Sequence, residues 1–425
     1  MEFPSLRLLL LASVCAGTLS STVRVHSQEL PERESAFTES SEELSNLTSE
    51  LEASRTLVPE ARFDPFGSIM EPWNNGWNWV DDRLGLHMGF AYTALYQAAT
   101  NGNYKNGRDG GVGDLDIFGT WHVLYPKRKT GILTAGTLGF NLEYRHLLSG
   151  LPPSELADSI GSLWGTTSGF DLQDISLIQL WWQQKLFDNK LGFRFGKIDL
   201  ASVFDVYRFN SSNHFFQNAA FSDNPTIPFP ENGFGVVGRW DPTEDLFVYY
   251  GFGDAEGRKT STLNTGQVEA WFSAATIGWN GEIGGLGKGL YQVTGWHADR
   301  RSNSEKPTAS GFSIVAQQEL GNGIVPFARY SWSSAAAVDV KDLITAGAVI
   351  EGVGRFEKDR LGAAVAWGSP HDDSHRDQWS AEVFLRHEVT PEFRVTPHVQ
   401  LIIDPSKNRN DDIIGIVGIR GRVTF

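Results

Sequence analysis

Cysteine is nearly missing from this chain: Cys15 is the one cysteine in 425 residues. A disulfide framework is thereby excluded, and the fold alone must stabilise the exported chain. Long apolar runs are missing too, since the leading run near residues 8–14 is too short to cross a bilayer as a helix and charged residues recur everywhere else. The formal net charge is −15, and no basic stripe exists to meet phosphates, so nucleic acid is excluded as a partner. There is no Gly-x-Ser-x-Gly nucleophile motif, and the glycine-rich stretch 281–289 lacks both Walker spacing and a following helix. The run His371-Asp372-Asp373-Ser374-His375 could hold a divalent cation or simply face water, and the second is the plainer reading, because neighbours in a strand-end loop rarely converge on one ion. No catalytic residue, cofactor or metal is expected.

What is present divides into three zones. Residues 1–27 read as a secretory leader, with Arg7 at the front, an apolar core and Val25-His26-Ser27 before the cleavage point. Val14 is the wrong neighbour for acylation of Cys15, which argues against a lipoprotein. Residues 28–72 form an acidic arm rich in Ser and Thr, where Leu44, Leu47, Leu51 and Val58 fall at helical or heptad spacing. A solvated periplasmic linker with a short helix is the plain reading of that arm, and an oligomerisation helix or a partial pore plug is the alternative. Residues 73–425 keep a third character to the end.

That long zone holds about sixteen stretches of alternating polarity, each bounded by turn signals. They fall near 84–98, 114–124, 131–145, 174–186, 190–199, 233–240, 245–252, 270–279, 288–297, 311–319, 323–333, 343–353, 359–368, 378–388, 392–402 and 413–425. Short and long connections take turns between them, the arrangement that short periplasmic turns and long outer loops produce. A soluble sandwich has no reason to sort its loops in this way. The fold expected is therefore all-β: a transmembrane antiparallel β-barrel of about sixteen strands. Leu84, Leu86, Met88, Phe90 and Tyr92 line up toward lipid, as do Trp379, Ala381, Val383 and Leu385, and Phe393, Val395, Val399 and Leu401. Trp240, Phe393 and Phe425 suit an aromatic girdle on the turn side, and Phe252, Trp296, Trp332, Trp367 and Trp379 one on the loop side. Phe247 and Tyr249 compete with Val248 and Tyr250 for one face, and Phe327 opposes Tyr330.

The stretch 190–234 organises the rest. It starts as a strand, KLGFRFGKIDL, and opens into an irregular segment near 200–232 that carries Phe204, Tyr207, Phe209, His214, Phe215, Phe216 and Phe221 among Asn, Ser and Asp. So long a loop is functional or disordered, and so many aromatics argue against disorder. The expectation is a loop folded into the lumen that constricts the pore. Phe204, Tyr207, Phe209 and Phe215 would offer ring faces, and Arg208, Asn210, Asn213 and His214 hydrogen-bonding groups. Arg194, Arg239, Arg329, Arg360, Arg386, Arg394, Arg420 and Arg422 fall on the lumen side of their strands, with Glu382 and Glu388 among them. Arginines in a barrel are more often partners of carboxylates than selectivity elements. As a group they keep a general or anion-preferring diffusion pore open as an alternative, with a barrel enzyme or a soluble sugar-binding barrel behind it.

Three stretches carry a family resemblance: LIQLWWQQKLFDNKLGFRFGKIDL, FNSSNHFFQNAAFSDNPTIPFPENGFGV and the ending IIDPSKNRNDDIIGIVGIRGRVTF. A strand, a three-residue turn, a Gly-Lys-Ile-Asp strand end and a constricting loop occur there in the order seen in the carbohydrate-selective porins of the OprB family, which this sequence resembles over most of 174–425. The beginning departs: Trp73-Asn74-Asn75-Gly76-Trp77 stands where the family tends to show Gly-Asp-Trp-Gly-Gly. The resemblance implies passive, weakly selective diffusion of carbohydrates across a bacterial outer membrane. The partners expected are the sugar itself, outer-membrane lipid and the outer-membrane assembly machinery, whose substrates resemble this chain in ending on an aromatic residue, with a homo-oligomer left open.

Overall fold

In a computed structural model of the chain, residues 75–425 are described apart from 78, 81–82, 101–106, 125–132, 261–267, 303 and 354–355. The leader and the acidic arm lie outside the described residues. Sixteen antiparallel strands pair each with the next, and β1 (Leu86–Ala99) pairs with β16 (Ile413–Thr424) to close the barrel. Closure removes the free edge that one long alternating strand would otherwise present. The remaining strands are β2 (Asp109–Leu124), β3 (Leu133–Gly150), β4 (Gln173–Leu186), β5 (Leu191–Ile198), β6 (Gly233–Trp240), β7 (Leu246–Asp254) and β8 (Trp271–Trp279). They continue as β9 (Gly289–Ala298), β10 (Ala309–Gln318), β11 (Ile324–Ser333), β12 (Val340–Val353), β13 (Phe356–Pro370), β14 (Gln378–Glu388) and β15 (Phe393–Ile403).

Period-two alternation decides which face each residue takes, and here the outside is apolar. Tyr250, Ile277, Val293, Ile344, Val383, Val399, Val417 and Ile419 are exposed there, while Arg420, Arg422 and Thr424 of β16 point in and are buried. An apolar exterior costs nothing against hydrocarbon and would be costly in water. The ambiguous strands resolve in one direction: Phe247, Tyr249 and Phe327 face inward, Tyr250 and Tyr330 outward. Trp296, expected in the outer girdle, instead faces the lumen and stacks on Phe272 with ring centroids 6.5 Å apart.

Two strand ends differ from the sequence reading. β2 begins at Asp109 instead of near residue 114, and β3 runs to Gly150 instead of stopping near 145. The extra length of β2 is DGGVG, where three glycines erase the polarity alternation that marks a strand. The turn between β4 and β5 holds Phe187, Asp188 and Asn189, all at positive φ (50°, 56° and 67°). Asp and Asn accept that left-handed backbone readily, and Phe does so at a steric cost.

The apolar core lies inside the barrel. The segment 199–232 between β5 and β6 folds inward, with a short helix α2 (Ala219–Ser222) near its tip. Phe204, Phe209, Phe216 and Phe221 are completely or almost completely buried there with the inward-facing Phe247, Phe272, Phe327 and Phe384 of the wall. A second segment, 151–172, carries α1 (Pro153–Ile160), which has proline at its start and Gly161 in the left-handed conformation as its cap.

Candidate functional site

The loop 199–232 is fastened to the wall opposite its own strands at three places. Glu382 of β14 accepts hydrogen bonds from the backbone N–H groups of Gln217 and Asn218, both at 2.7 Å. Arg420 of β16 donates to the carbonyl oxygens of Ser212 and Phe215. Arg329 of β11 pairs with Asp205 at 3.2 Å and donates to the Ala220 and Asp223 carbonyls, with both side chains of the ion pair 1% exposed. Breaking such a buried pair by removing one partner costs about 3–5 kcal/mol, because the other charge is stranded. The loop is thus tied to three strands of the far wall, β11, β14 and β16.

Segment 151–172 braces the loop from the other side. Trp164 Nε1 donates to Asn218 Oδ1 at 2.9 Å, the Ala219 N–H donates to the Gly165 carbonyl at 3.0 Å, and Thr167 donates to Gln217 Oε1 at 3.0 Å. Gln97 of β1 and Gln400 of β15 both donate to the Thr166 carbonyl. The sequence reading assigned this segment no part in the site, and its polar, Gly-rich composition gives no sign that it packs inside.

Several residues chosen from sequence sit deeper than a pore-lining role allows. Phe204 packs edge-on to Tyr249, Tyr207 lies 5.0 Å from Phe327, and Phe209 lies 5.9 Å from the same ring. Tyr207 also donates its hydroxyl hydrogen to the Phe221 carbonyl. These three rings anchor the loop and offer no open face to a passing solute. His214 and Asn210 are likewise buried. Arg194 lies over the Trp181 ring at 4.0 Å and donates to Gln183, while Arg239 pairs with Asp241 and lies over Phe247 and Tyr249. Arg422 donates to Thr93 at 2.6 Å. All of these are structural in their placement, because burial and filled donor sites leave nothing for a solute to take.

What stays accessible is a narrower set. Arg208 reaches from the loop to Glu319 at 2.9 Å and to Glu351 at 2.6 Å, and Arg360 of β13 meets the same Glu351 at 3.4 Å. Arg386 pairs with Glu388 and sits 5.6 Å from the centroid of the Phe215 ring. Arg394, itself buried, meets the same Glu388 at 3.4 Å. The Arg208 side chain is 26% exposed and that of Arg386 17%, while Phe215 and Asn213 are half-buried. Charged donors, carboxylate acceptors and an aromatic ring therefore share one partly open gap between loop and wall. Glu319 and Glu351, which sequence reasoning passed over, complete it; they sit at strand ends, where alternation no longer tells inside from outside.

A closed barrel with an apolar exterior and inward-folded loops defines an outer-membrane porin. The sequence matches the family described as carbohydrate-selective porin, OprB family, over residues 130–425, and the chain belongs to that family. It is similar to Porin AaxA of Chlamydia abortus, with 20% identity over 296 residues that make up 68% of this chain and 66% of that protein, just under two thirds of its length. Its fold is similar to that of Pseudomonas putida OprB in the high-pH structure, with TM-score 0.69 and 18% identity over 83% of this chain and 97% of that one. The low-pH structure of the same porin gives TM-score 0.53 and 18% identity over 87% and 100% of the two chains.

Proposed function

We propose that this chain lets sugars diffuse passively through the gap between loop 199–232 and the wall from β10 to β15, and that it acts as a channel and not as a catalyst. The observation that carries this reading is the pairing of Phe215 with Arg386 beside the Arg208–Glu319–Glu351 cluster. A sugar presents hydroxyls and an apolar C–H face at once, so it is met best where donors and acceptors stand beside a ring. Partial exposure keeps each contact weak enough to release the solute, which flux requires. The partners this reading names are carbohydrate as the solute and outer-membrane lipid around the barrel. The closed barrel with its apolar exterior supports delivery by the outer-membrane assembly machinery.

An anion-preferring pore is the second reading, since so many arginines face inward. Compensation disfavours it. Arg208, Arg329, Arg360, Arg386 and Arg394 all have carboxylate partners, which leaves little net positive field for anions.

Liposome swelling tests the sugar reading, with a monosaccharide compared against a neutral non-carbohydrate solute of equal size. The sugar should enter faster, and Phe215→Ala should remove most of that advantage while leaving the other solute unchanged. Equal rates for both solutes in the unaltered protein would defeat carbohydrate recognition in this gap.

A further inference from the structure

The inner wall formed by β2 and β3 carries a cluster that the solute pathway does not use. Strand register sets Asp114 across from Arg145, Asp116 across from Glu143 and Phe118 across from Asn141. Two carboxylates directly opposite on one face of a sheet repel each other. Here Asp114, Asp116, Glu143 and Asn141 are all more than nine-tenths buried, so water does little to relieve that repulsion.

Arg145 answers only part of it. Its guanidinium meets Asp114 Oδ2 at 3.1 Å and Glu143 Oε2 at 2.7 Å, and its remaining donor goes to Asp171, which also meets Lys259. Three carboxylates against one guanidinium leave two negative charges. Arg422 of β16 also acts on Asp116, and with it counted one excess negative charge remains. Among the described residues no protein group hydrogen-bonds to Asp114 Oδ1, Glu143 Oε1 or Asn141 Oδ1, all of them buried. The Asn141 amide stands at the cluster, with its Nδ2 donating to Asp116 Oδ1 at 3.2 Å, and turning the amide over sets the carbonyl oxygen in that place.

We propose that Asp114, Asp116, Glu143 and the Asn141 side-chain carbonyl bind one divalent cation, calcium by its protein-oxygen ligands, that fastens β2 to β3 on the lumen side. The donors are all oxygen, the hard-ligand set that calcium and magnesium take. One oxygen from each of the three carboxylates lies within 4.8 Å of the others. Two ligands across a calcium ion at its usual contact distance of about 2.4 Å are about 4.8 Å apart, while magnesium draws them to about 4.2 Å. An ion of either size fits within that reach, but a buried site built from protein oxygens is the kind calcium takes, whereas magnesium keeps several waters. The ion would neutralise the excess charge and supply a partner to each unsatisfied oxygen.

Calorimetric titration of the full chain in detergent, stripped with EDTA and held at constant ionic strength, tests this with calcium chloride and magnesium chloride as the probes. One saturable calcium site per chain is expected, with a dissociation constant of about 10⁻⁵ to 10⁻³ M and weaker binding of magnesium. Asp116→Asn and Glu143→Gln should each weaken calcium by about ten-fold or more. Heat-modifiable gel mobility reports whether each variant has folded. If either fails to fold, Asn141→Ala, which keeps every charge, is read in its place and should weaken binding in the same direction. Absence of saturable calcium binding in the unaltered chain would overturn the proposal, as would binding that all folded variants retain at full strength, which would put the ion elsewhere.

Discussion

Burial decides what each charged or aromatic side chain does here. Phe209 and Phe215 are six residues apart in one loop, yet Phe209 is sealed against Phe327 while Phe215 keeps a face open beside Arg386. Removing the first ring costs about 3–5 kcal/mol of packing, whereas removing the second, on the function proposed above, should change solute passage instead. Asp199 shows the same control over charge. It stands where β5 gives way to the loop; burial, with Asp223 adding to it, pushes its carboxyl up to about 6, against the opposing pull of hydrogen bonds from Ala201 and Ser202 and the charge of Lys259. An acid raised above its unfolded value of about 3.9 is held better in the folded state when protonated, so its contribution is full below about pH 4 and is lost as pH rises through about 6. Limited proteolysis of loop 199–232 should therefore speed up between pH 4 and pH 7 beyond the protease's own pH response, and Asp199→Asn should flatten that rise. A cleavage rate equally pH-dependent in both proteins would show that Asp199 does not govern the docking.

Strands and loops differ in how far the sequence alone reveals them. The sixteen strands were legible because each buries one face and exposes the other, and that constraint writes a period of two into residues such as Trp379, Ala381, Val383 and Leu385. The inward course of 199–232 was legible from its density of aromatics. Which rings anchor and which stay open was not, because that depends on Phe327 and Phe384, more than a hundred residues away. Segment 151–172 was missed for the same reason: its partners Gln97, Asn218 and Gln400 come from three distant parts of the chain. Asn218 joins the two loops, accepting from Trp164 and donating to Gln400 at 3.0 Å. Asn218→Ala strands a buried indole N–H and the Gln400 carbonyl oxygen, at about 1–3 kcal/mol each. Hydrogen exchange should then quicken in 151–172 and 199–232 together while the strands keep their protection. Faster exchange in 199–232 alone would mean that the loops are not braced through this residue.

At the scale of the whole molecule, the barrel fixes a lumen and the loops divide it into a packed half and an open gap. In the packed half Arg329 with Asp205 and Arg239 with Asp241 close their own charges. The partly exposed charges are those of the gap, where Arg208 stands between Glu319 and Glu351. Removing that guanidinium by Arg208→Ala takes its cation from Glu319 and leaves Glu351 with Arg360, and the local field turns negative. Planar-bilayer reversal potentials in a potassium chloride gradient should shift toward cation preference in Arg208→Ala. Glu351→Gln removes one of the two carboxylates and should shift them the other way. Screening reaches about 10 Å at 0.1 M salt, so both shifts should shrink as salt rises toward 1 M. If the gap carries the flux, the same Arg208→Ala channel should also lose part of its preference for sugar over an equal-sized neutral solute, because a hydroxyl donor has gone along with the charge. A changed reversal potential with sugar preference intact would separate ion flux from sugar recognition and place the recognition at Phe215 and Arg386.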